Sequence, residues 1–113
     1  MGVPSILQHS LLVLQVRAII EYAVQTGSFV HYVPLAKATK TFSGGKDLAL
    51  ALASIMEEDQ KAGRPLTCAL VVSSINNHPG DGFFVKARAL GYQFKDGETF
   101  WKAQCQALGI PLP

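Results

Sequence analysis

Apolar residues recur every three to four positions in three long segments of the chain, which is the spacing of one face of an α-helix. The clearest segment is 46–62, where leucines, an isoleucine and a methionine form an apolar stripe among strong helix formers. Segments 5–25 and 98–108 have the same character. A glycine follows each segment, and glycine commonly ends a helix. The pattern therefore predicts three helices.

The first predicted helix is apolar on more than one side. Leu7, Leu11, Leu14 and Ala18, with their neighbours Ile19 and Ile20, make one apolar face, and the run from Leu11 to Leu14 is apolar all round. A helix of this kind is buried on more than one side. We therefore expect it to lie sandwiched inside the domain or to form a subunit contact. The residues predicted for such a homodimer contact are Leu11, Leu12, Val13 and Leu14.

Two shorter segments carry the residues typical of β-strands. β-Branched and aromatic side chains at 29–33 predict a short strand. A continuous apolar run within 66–74 predicts a central strand, and a short helix is expected at 35–40, after a proline. The loop 76–82 is rich in Asn, Pro and Gly. The residues that follow it, 83–85, fit either a return strand or the start of a short helix.

These elements occur in the order of a winged helix-turn-helix domain: helix, short strand, short helix, turn, longer helix, strand, polar loop and return. We therefore predict an α+β fold, a helix-rich winged helix-turn-helix-like domain with a small β-hairpin and added N- and C-terminal helices. The chain of 113 residues has the length of a single domain, 1–113, and contains no dividing linker.

A winged-helix domain places the amino end of one helix in the DNA major groove, while the hairpin loop reaches the backbone. Here a glycine-rich turn with nearby lysines precedes the helix 46–62, with Ser43 as its predicted N-cap, and free amide groups at a helix start attract phosphate. We therefore predict contact with the phosphates of double-stranded DNA. Base-reading Arg, Asn and Gln are absent from the first two turns of this helix, so sequence-specific reading is not expected. The predicted DNA-contacting residues are Lys37, Lys40, Ser43, Gly45 and Lys46, together with Asn77, His78, Lys86 and Arg88 in and beside the wing loop.

Short motifs along residues 30–91 resemble a known family. They are Tyr32-Val33-Pro34-Leu35-Ala36, the helix around Leu52 and Ile55, Gly63-Arg64-Pro65-Leu66-Thr67 with Ala69-Leu70-Val71-Val72, and Pro79-Gly80-Asp81-Gly82-Phe83-Phe84. Together they resemble a small bacterial winged-helix-like domain found beside restriction-type endonuclease domains and in uncharacterised stand-alone proteins. The resemblance implies a winged-helix-like fold and a role with DNA or in a nuclease complex. It brings no catalytic residue to this chain, since the catalytic module of such proteins is a separate domain.

Composition narrows the class of protein. Hydrophobic residues make up 49% and charged residues 16%, which excludes general disorder. The net charge of +2 is too small to indicate a nucleic-acid partner by itself. Polar residues interrupt the apolar stretch 6–20, so we expect no membrane span but a soluble cytoplasmic protein. Cys68 and Cys105 are expected to be reduced.

Several candidate chemical sites are discounted. Ser43-Gly44-Gly45-Lys46 lacks the earlier Gly and the following Ser or Thr of a phosphate-binding loop. His9, His31 and His78 lack metal-ligand spacing. The acidic run at 57–59 fits a solvated face. We therefore expect no enzymatic activity, no metal and no cofactor.

Two alternatives to DNA contact remain open at this point. The first is a homodimeric protein-interaction module that binds no nucleic acid. The second is a small ligand held between the first helix and the aromatic residues of 83–101. Those aromatic residues otherwise serve to pack the last helix.

Overall fold

Helices dominate the computed structural model, which describes residues 5–112. The three helices predicted from apolar spacing are confirmed, each within one residue of its predicted bounds. They are α1 (Ser5–Thr26), α3 (Lys46–Lys61) and α5 (Gly97–Ala107). Two shorter helices, α2 (Tyr32–Thr39) and α4 (Asp81–Ala89), lie between them in the chain.

The two described strands form a parallel pair. In β1 (Val30–His31) and β2 (Val71–Val72), Val30 lies opposite Val71 and His31 opposite Val72. The predicted β-hairpin is therefore wrong. Residues 83–85 lie within α4, so that segment follows the helical alternative and supplies no return strand. The fold is a helix-rich α+β domain with a small parallel sheet.

The connection from β1 to α3 also differs in detail from the prediction. The strand predicted at 29–33 ends at His31, because α2 begins at Tyr32. Pro34 is the third residue of that helix, where an N–H would have no intrahelical acceptor, so its missing donor costs nothing. The N-cap of α3 is Gly45 and not Ser43 as predicted.

The central strand predicted at 66–74 is mostly replaced by a 3-10 helix, Thr67–Leu70, followed by the two residues of β2. Side chains distant in sequence satisfy its backbone. Gln104 Oε1 accepts from the Leu66 N–H at 2.8 Å, and Trp101 Nε1 donates to the Ala69 carbonyl at 2.8 Å. Because these side chains already pair with the backbone N–H and C=O groups, the segment does not require the hydrogen bonds of a neighbouring strand.

The hydrophobic core lies where α1, α3, the 3-10 helix and α5 meet. Truncating one of its fully buried large side chains to alanine costs about 2–5 kcal/mol. These side chains include Val16, Ile20, Leu48, Ile55, Leu70 and Trp101. The core therefore fixes α3, which carries one wall of the site described below.

The aromatic residues of 83–101 pack on one another and on this core, so their predicted packing role is confirmed. Phe94 and Phe100 stack with ring centroids 4.2 Å apart, and Phe83 meets Phe84 edge-on at 5.2 Å. Such pairs each add about 0.5–1.5 kcal/mol beyond area burial. Phe83 on α4 also lies 6.1 Å from Phe100 on α5, and this contact packs the two helices together.

Asp59 corrects the expectation that the acidic run at 57–59 is a solvated face. Its side chain is fully buried near the end of α3. Asp59 accepts hydrogen bonds from Arg17, Arg64 and both the N–H and the hydroxyl of Thr67. A buried carboxylate is tolerated because it is paired and hydrogen-bonded in this way.

Helix α1 is not sandwiched within the subunit, contrary to one of the two predicted arrangements. Its inner side buries Val16, Ile20 and Ala23. The predicted apolar face points outward. Its members Leu7, Leu11, Leu14 and Ala18 are exposed, whereas the neighbours Ile19 and Ile20 are half-buried and buried.

Candidate ligand-binding cleft

A cleft of about 450 Å³ opens between α3 and the start of α4. Tyr32 and Ser73, the residues that directly follow β1 and β2, lie in its lining. The cleft therefore sits at the carboxyl ends of the two parallel strands, where α/β folds commonly bind ligands. Its volume falls within the range of small-molecule sites, which is about 300–1,000 Å³.

One wall of the cleft is apolar and is formed mainly by one face of α3. Leu48, Leu52 and Met56 contribute large side chains from that helix, and Phe83 contributes its ring from α4. Three of these four residues belong to the apolar stripe that predicts the helix. The core and the cleft thus share this stripe.

Small residues at the N-cap of α3 and on one of its faces line the cleft. Gly45, Ala49 and Ala53 follow one another at a spacing of four and all line the cleft. Residues four apart lie on the same face of a helix. A large side chain at Ala49 or Ala53 would therefore reduce the open volume.

Tyr32 contributes a hydroxyl-bearing side chain to the lining of the cleft. Its oxygen accepts a hydrogen bond from the Gly80 N–H at 3.1 Å, so its own hydrogen is left to donate. Burial raises the pKa of Tyr32 above its ordinary value, partly offset by the bond from Gly80. The group is therefore a neutral phenol at physiological pH.

Lys86 contributes the cationic group of the lining. Its Nζ donates to Glu57 Oε1 at 2.6 Å, while Glu57 itself lies outside the lining. This hydrogen bond and the lysine charge hold the pKa of Glu57 below its usual value. An ammonium has three donors, so Lys86 keeps donors for a further partner.

Cys68 lies in the lining of the cleft, and its thiol is buried and protonated. Its Sγ is 3.4 Å from the Leu52 carbonyl oxygen, to which it donates. Burial, followed by the nearby charge of Asp59, raises the pKa of the thiol far above its usual range. Because the thiolate is the nucleophile, Cys68 acts here as an apolar wall residue.

The structure brings together three of the nine predicted DNA-contacting residues: Ser43, Gly45 and Lys86 line the cleft. Gly80 and Gly82, from the predicted wing loop and the start of α4, join them there. The glycine-rich start of α3 and the end of that loop therefore border the same cleft.

The other predicted DNA-contacting residues are spread over the surface. Lys37, Lys40 and Lys46 are exposed around the α2–α3 turn. Asn77 is engaged with His31, and its Oδ1 lies 3.1 Å from the imidazole Nε2. None of these four residues belongs to the lining of the cleft.

His78 and Arg88 face the aromatic cluster. The His78 ring lies 4.7 Å from the Trp101 ring, and its Nε2 is 3.4 Å from Glu98. The Arg88 guanidinium lies 3.9 Å above the Phe94 ring and donates to the Phe94 carbonyl. Lys86 and Arg88 thus diverge from the same helix, as expected for residues two apart.

The four predicted dimer-contact residues divide into two pairs. Leu12 and Val13 pack against the core of their own chain. Leu11 and Leu14 are exposed. The pairs fall on opposite sides because α1 turns by about 100° at each residue.

Sequence reasoning missed the cleft and the part that Tyr32 has in it. The predicted strand at 29–33 obscured the placement of Tyr32 at the start of α2. A signal for the cleft was present in the i, i+4 spacing of Gly45, Ala49 and Ala53 beside a stripe of large apolar residues. The ligand hypothesis placed a pocket between α1 and the aromatic residues, whereas this cleft lies between α3 and α4.

The chain matches no protein-family model, no curated protein and no solved structure. The winged-helix resemblance therefore stays a prediction. Within residues 5–112, no helix combines the length and the hydrophobicity needed to cross a bilayer.

Proposed function

We propose that this domain binds a small amphipathic molecule in the cleft between α3 and α4. The observation that carries the proposal is the combination of an apolar wall with a few hydrogen-bond donors in the lining of a cleft of about 450 Å³. Sites for small organic ligands have this composition: mostly apolar, with a few polar groups that fix orientation.

The polar groups of the lining indicate the chemistry of the ligand. Tyr32 and Lys86 offer donors, and Ser43 and Ser73 offer hydroxyls that donate or accept. Among the described residues that line the cleft, none is acidic. The matching ligand has an apolar body, aromatic or aliphatic, and an acceptor group such as a carbonyl, carboxylate or sulfonate.

The dye 8-anilinonaphthalene-1-sulfonate tests this proposal because it pairs an aromatic body with an acceptor group. Titration into the folded protein is expected to give a saturable rise in fluorescence. Ala49→Phe places a ring in the cleft from an exposed position on α3, and we expect it to abolish this binding. Lys86→Met removes a charged donor and is expected to weaken binding by about tenfold or more.

Two control variants make the result specific. Ala103→Phe adds the same ring at an exposed position on α5, outside the cleft, and should bind the dye like the wild type. Leu14→Glu removes an apolar site on α1 and should also leave binding unchanged. Near-ultraviolet circular dichroism verifies that each variant is folded, since partly unfolded proteins also bind this dye. Equal binding by Ala49→Phe and wild type would rule out the cleft as the site.

A second candidate function is contact with the DNA backbone, which three lysines favour. Lys37, Lys40 and Lys46 are exposed and, within residues 5–112, make no ion pair. Their charges flank the glycine-rich start of α3. Lysines arranged in this way contact phosphate without reading sequence.

Duplex binding measured across a salt series tests the DNA candidate. Each phosphate contact adds about 0.9 to the slope of log affinity against log salt, so Lys40→Glu with Lys46→Glu should lower the slope by about 2. Lys61→Glu with Lys95→Glu reverses two other exposed charges and serves as the control. Absence of duplex binding at low salt, or equal slopes for the two double variants, removes this candidate.

A further inference from the structure

An exposed apolar stripe runs along the outer side of α1, on the opposite side of the helix from the core. Leu7, Leu11 and Leu14 are 48%, 47% and 65% exposed, and Ala18 continues the row. Their spacing of four, three and four residues is that of a helix seam in a coiled coil. Over these residues the stripe is about 16 Å long.

The spacing of the stripe fits a partner that is itself a helix. Residues repeating every 3.5 positions stay in line only along the axis of a second helix packed nearly parallel or antiparallel to the first. A small ligand or an extended peptide has no matching repeat of side chains along a helix axis.

Charge on α1 points to a second copy of the same chain. Identical copies present identical charges to each other, so a self-contact must avoid concentrating one sign. The exposed neighbours of the stripe, Gln8, Ser10 and Gln15, are neutral. Arg17 is turned away, bound to Asp59 and Glu58, and Glu21 lies beyond the end of the stripe.

Residue size along the stripe favours one orientation. In an antiparallel pair centred between Leu11 and Leu14, Leu7 of one copy faces Ala18 of the other, and Leu11 faces Leu14. Each end then matches a large side chain with a small one, which lets the two rows interdigitate. A parallel pair would place Ala18 against Ala18 and leave a gap there.

We infer that two copies of this chain associate through the outer faces of their α1 helices, antiparallel and related by a two-fold axis. The contact is isologous, so each residue pair across it occurs twice. It lies on α1, away from the ligand cleft between α3 and α4, and does not depend on the function proposed for that cleft.

Sedimentation velocity across a concentration series tests the association. The wild type is expected to shift from monomer to twice that mass as concentration rises. Leu14→Glu should remain a monomer throughout, while Val85→Glu should dimerise like the wild type. Val85 is a matched control because it is 67% exposed on α4 and outside the stripe. Thermal unfolding verifies that both variants are folded.

Cysteine cross-linking tests the orientation. Isotope-labelled Leu7→Cys is mixed with unlabelled Ala18→Cys, oxidised, and analysed by intact mass. A disulfide forms only when the two Cα atoms come within about 7 Å, so the antiparallel arrangement predicts mixed dimers. The native thiols at Cys68 and Cys105 are buried and do not compete.

Three results would overturn the inference. The first is a wild type that stays monomeric at the highest concentration. The second is a Leu14→Glu variant whose dimer is as stable as that of the wild type. The third is cross-linking of Leu7→Cys only with itself, or of Ala18→Cys only with itself. Loss of dye binding in the cleft, by contrast, would bear only on the proposed function.

Discussion

Arg17 on α1 donates to the Oδ1 atom of Asp59 on α3 over 3.0 Å, which joins the two longest helices through a carboxylate that is closed to solvent. Asp59 is 0% exposed and also accepts from Arg64 and Thr67. Burial would lower the pKa of Arg17, but the bonds to Asp59 and Glu58 outweigh it and raise the pKa above its ordinary value. The arginine therefore stays charged and pairs with both carboxylates.

We expect Asp59→Ala to lower the free energy of unfolding by about 3–5 kcal/mol, because it leaves a largely buried guanidinium without its main partner. Glu58→Ala removes the neighbouring carboxylate that also binds Arg17, but Glu58 is exposed, so the loss should stay below about 1 kcal/mol. Urea denaturation of both variants measures the difference. Equal losses would mean that the buried carboxylate has no special role.

Alanine at two cleft glycines should have opposite effects. A Cβ on Gly45 would meet the backbone oxygen of Phe42 at 2.9 Å, so Gly45→Ala must shift the backbone of the turn and should destabilise by about 1–3 kcal/mol. A Cβ on Gly82 meets nothing within 4 Å, and alanine there favours the helix by about 0.5–1 kcal/mol. Melting temperatures should move in opposite directions. A shift of the same sign in both would contradict this account of the turn.

Both thiols should be inert in the folded protein. Burial raises the pKa of Cys105 to about 11 and that of Cys68 higher still, so each is protonated at neutral pH. Only the thiolate reacts with disulfide reagents. A thiol assay at neutral pH should therefore detect neither residue before urea is added and both after unfolding. Rapid reaction of one thiol in the native protein would be inconsistent with its placement.

Two glutamates should contribute stability that disappears in acid. The hydrogen bond from Lys86 lowers the pKa of Glu57, and the hydrogen bond from His78, followed by the charge of Lys102, lowers that of Glu98. A carboxyl whose folded pKa lies below its unfolded value stabilises the fold above the unfolded value. That contribution is lost as pH falls through the folded value, from about pH 4.5 downward.

The variant Glu57→Gln with Glu98→Gln should therefore be less stable than the wild type at pH 7 and equally stable at pH 3. Urea midpoints at the two pH values provide the comparison. Glu21→Gln is the control, since Glu21 makes no ion pair in the described part of the chain. A deficit that persists unchanged at pH 3 would show that the effect is not electrostatic.

The single tryptophan should contribute more to the free energy of unfolding than the burial of its apolar area alone. Trp101 is buried, and its Nε1 donates to the Ala69 carbonyl at 2.8 Å. Trp101→Phe keeps an aromatic ring but leaves that carbonyl unsatisfied, which costs about 1–3 kcal/mol in addition to the lost volume. Phe100→Leu, at a half-buried site beside it, offers a comparison of packing alone. Chemical denaturation followed by circular dichroism measures both.

The long helices were predictable because their information is local. The apolar repeat and the residues that end α3 lie within the helix or next to it, so its bounds follow from the sequence. The same holds for α1 and α5. The inner and outer sides of α1 did not follow, because Leu11 and Leu12 are equally apolar and only the packing of α3 decides which one faces inward.

The strand predicted at 66–74 failed for a non-local reason. The backbone there is held by Asp59, Gln104 and Trp101, which lie on α3 and α5. No property of the segment itself reveals those partners. The cleft was hidden for a similar reason, since Tyr32 and Lys86 come together only once β1 and α4 are in place.

The pairing of β1 with β2 involves only two residues from each strand, which lie far apart in the chain. Closing so long a loop for so few ladder contacts is entropically unfavourable early in folding. The pairing should therefore form late, after α1 and α3 have docked, and mutations at Val30 or Val71 should accelerate unfolding more than they slow refolding. The strand ends that border the cleft would then be the last part of the domain to become ordered.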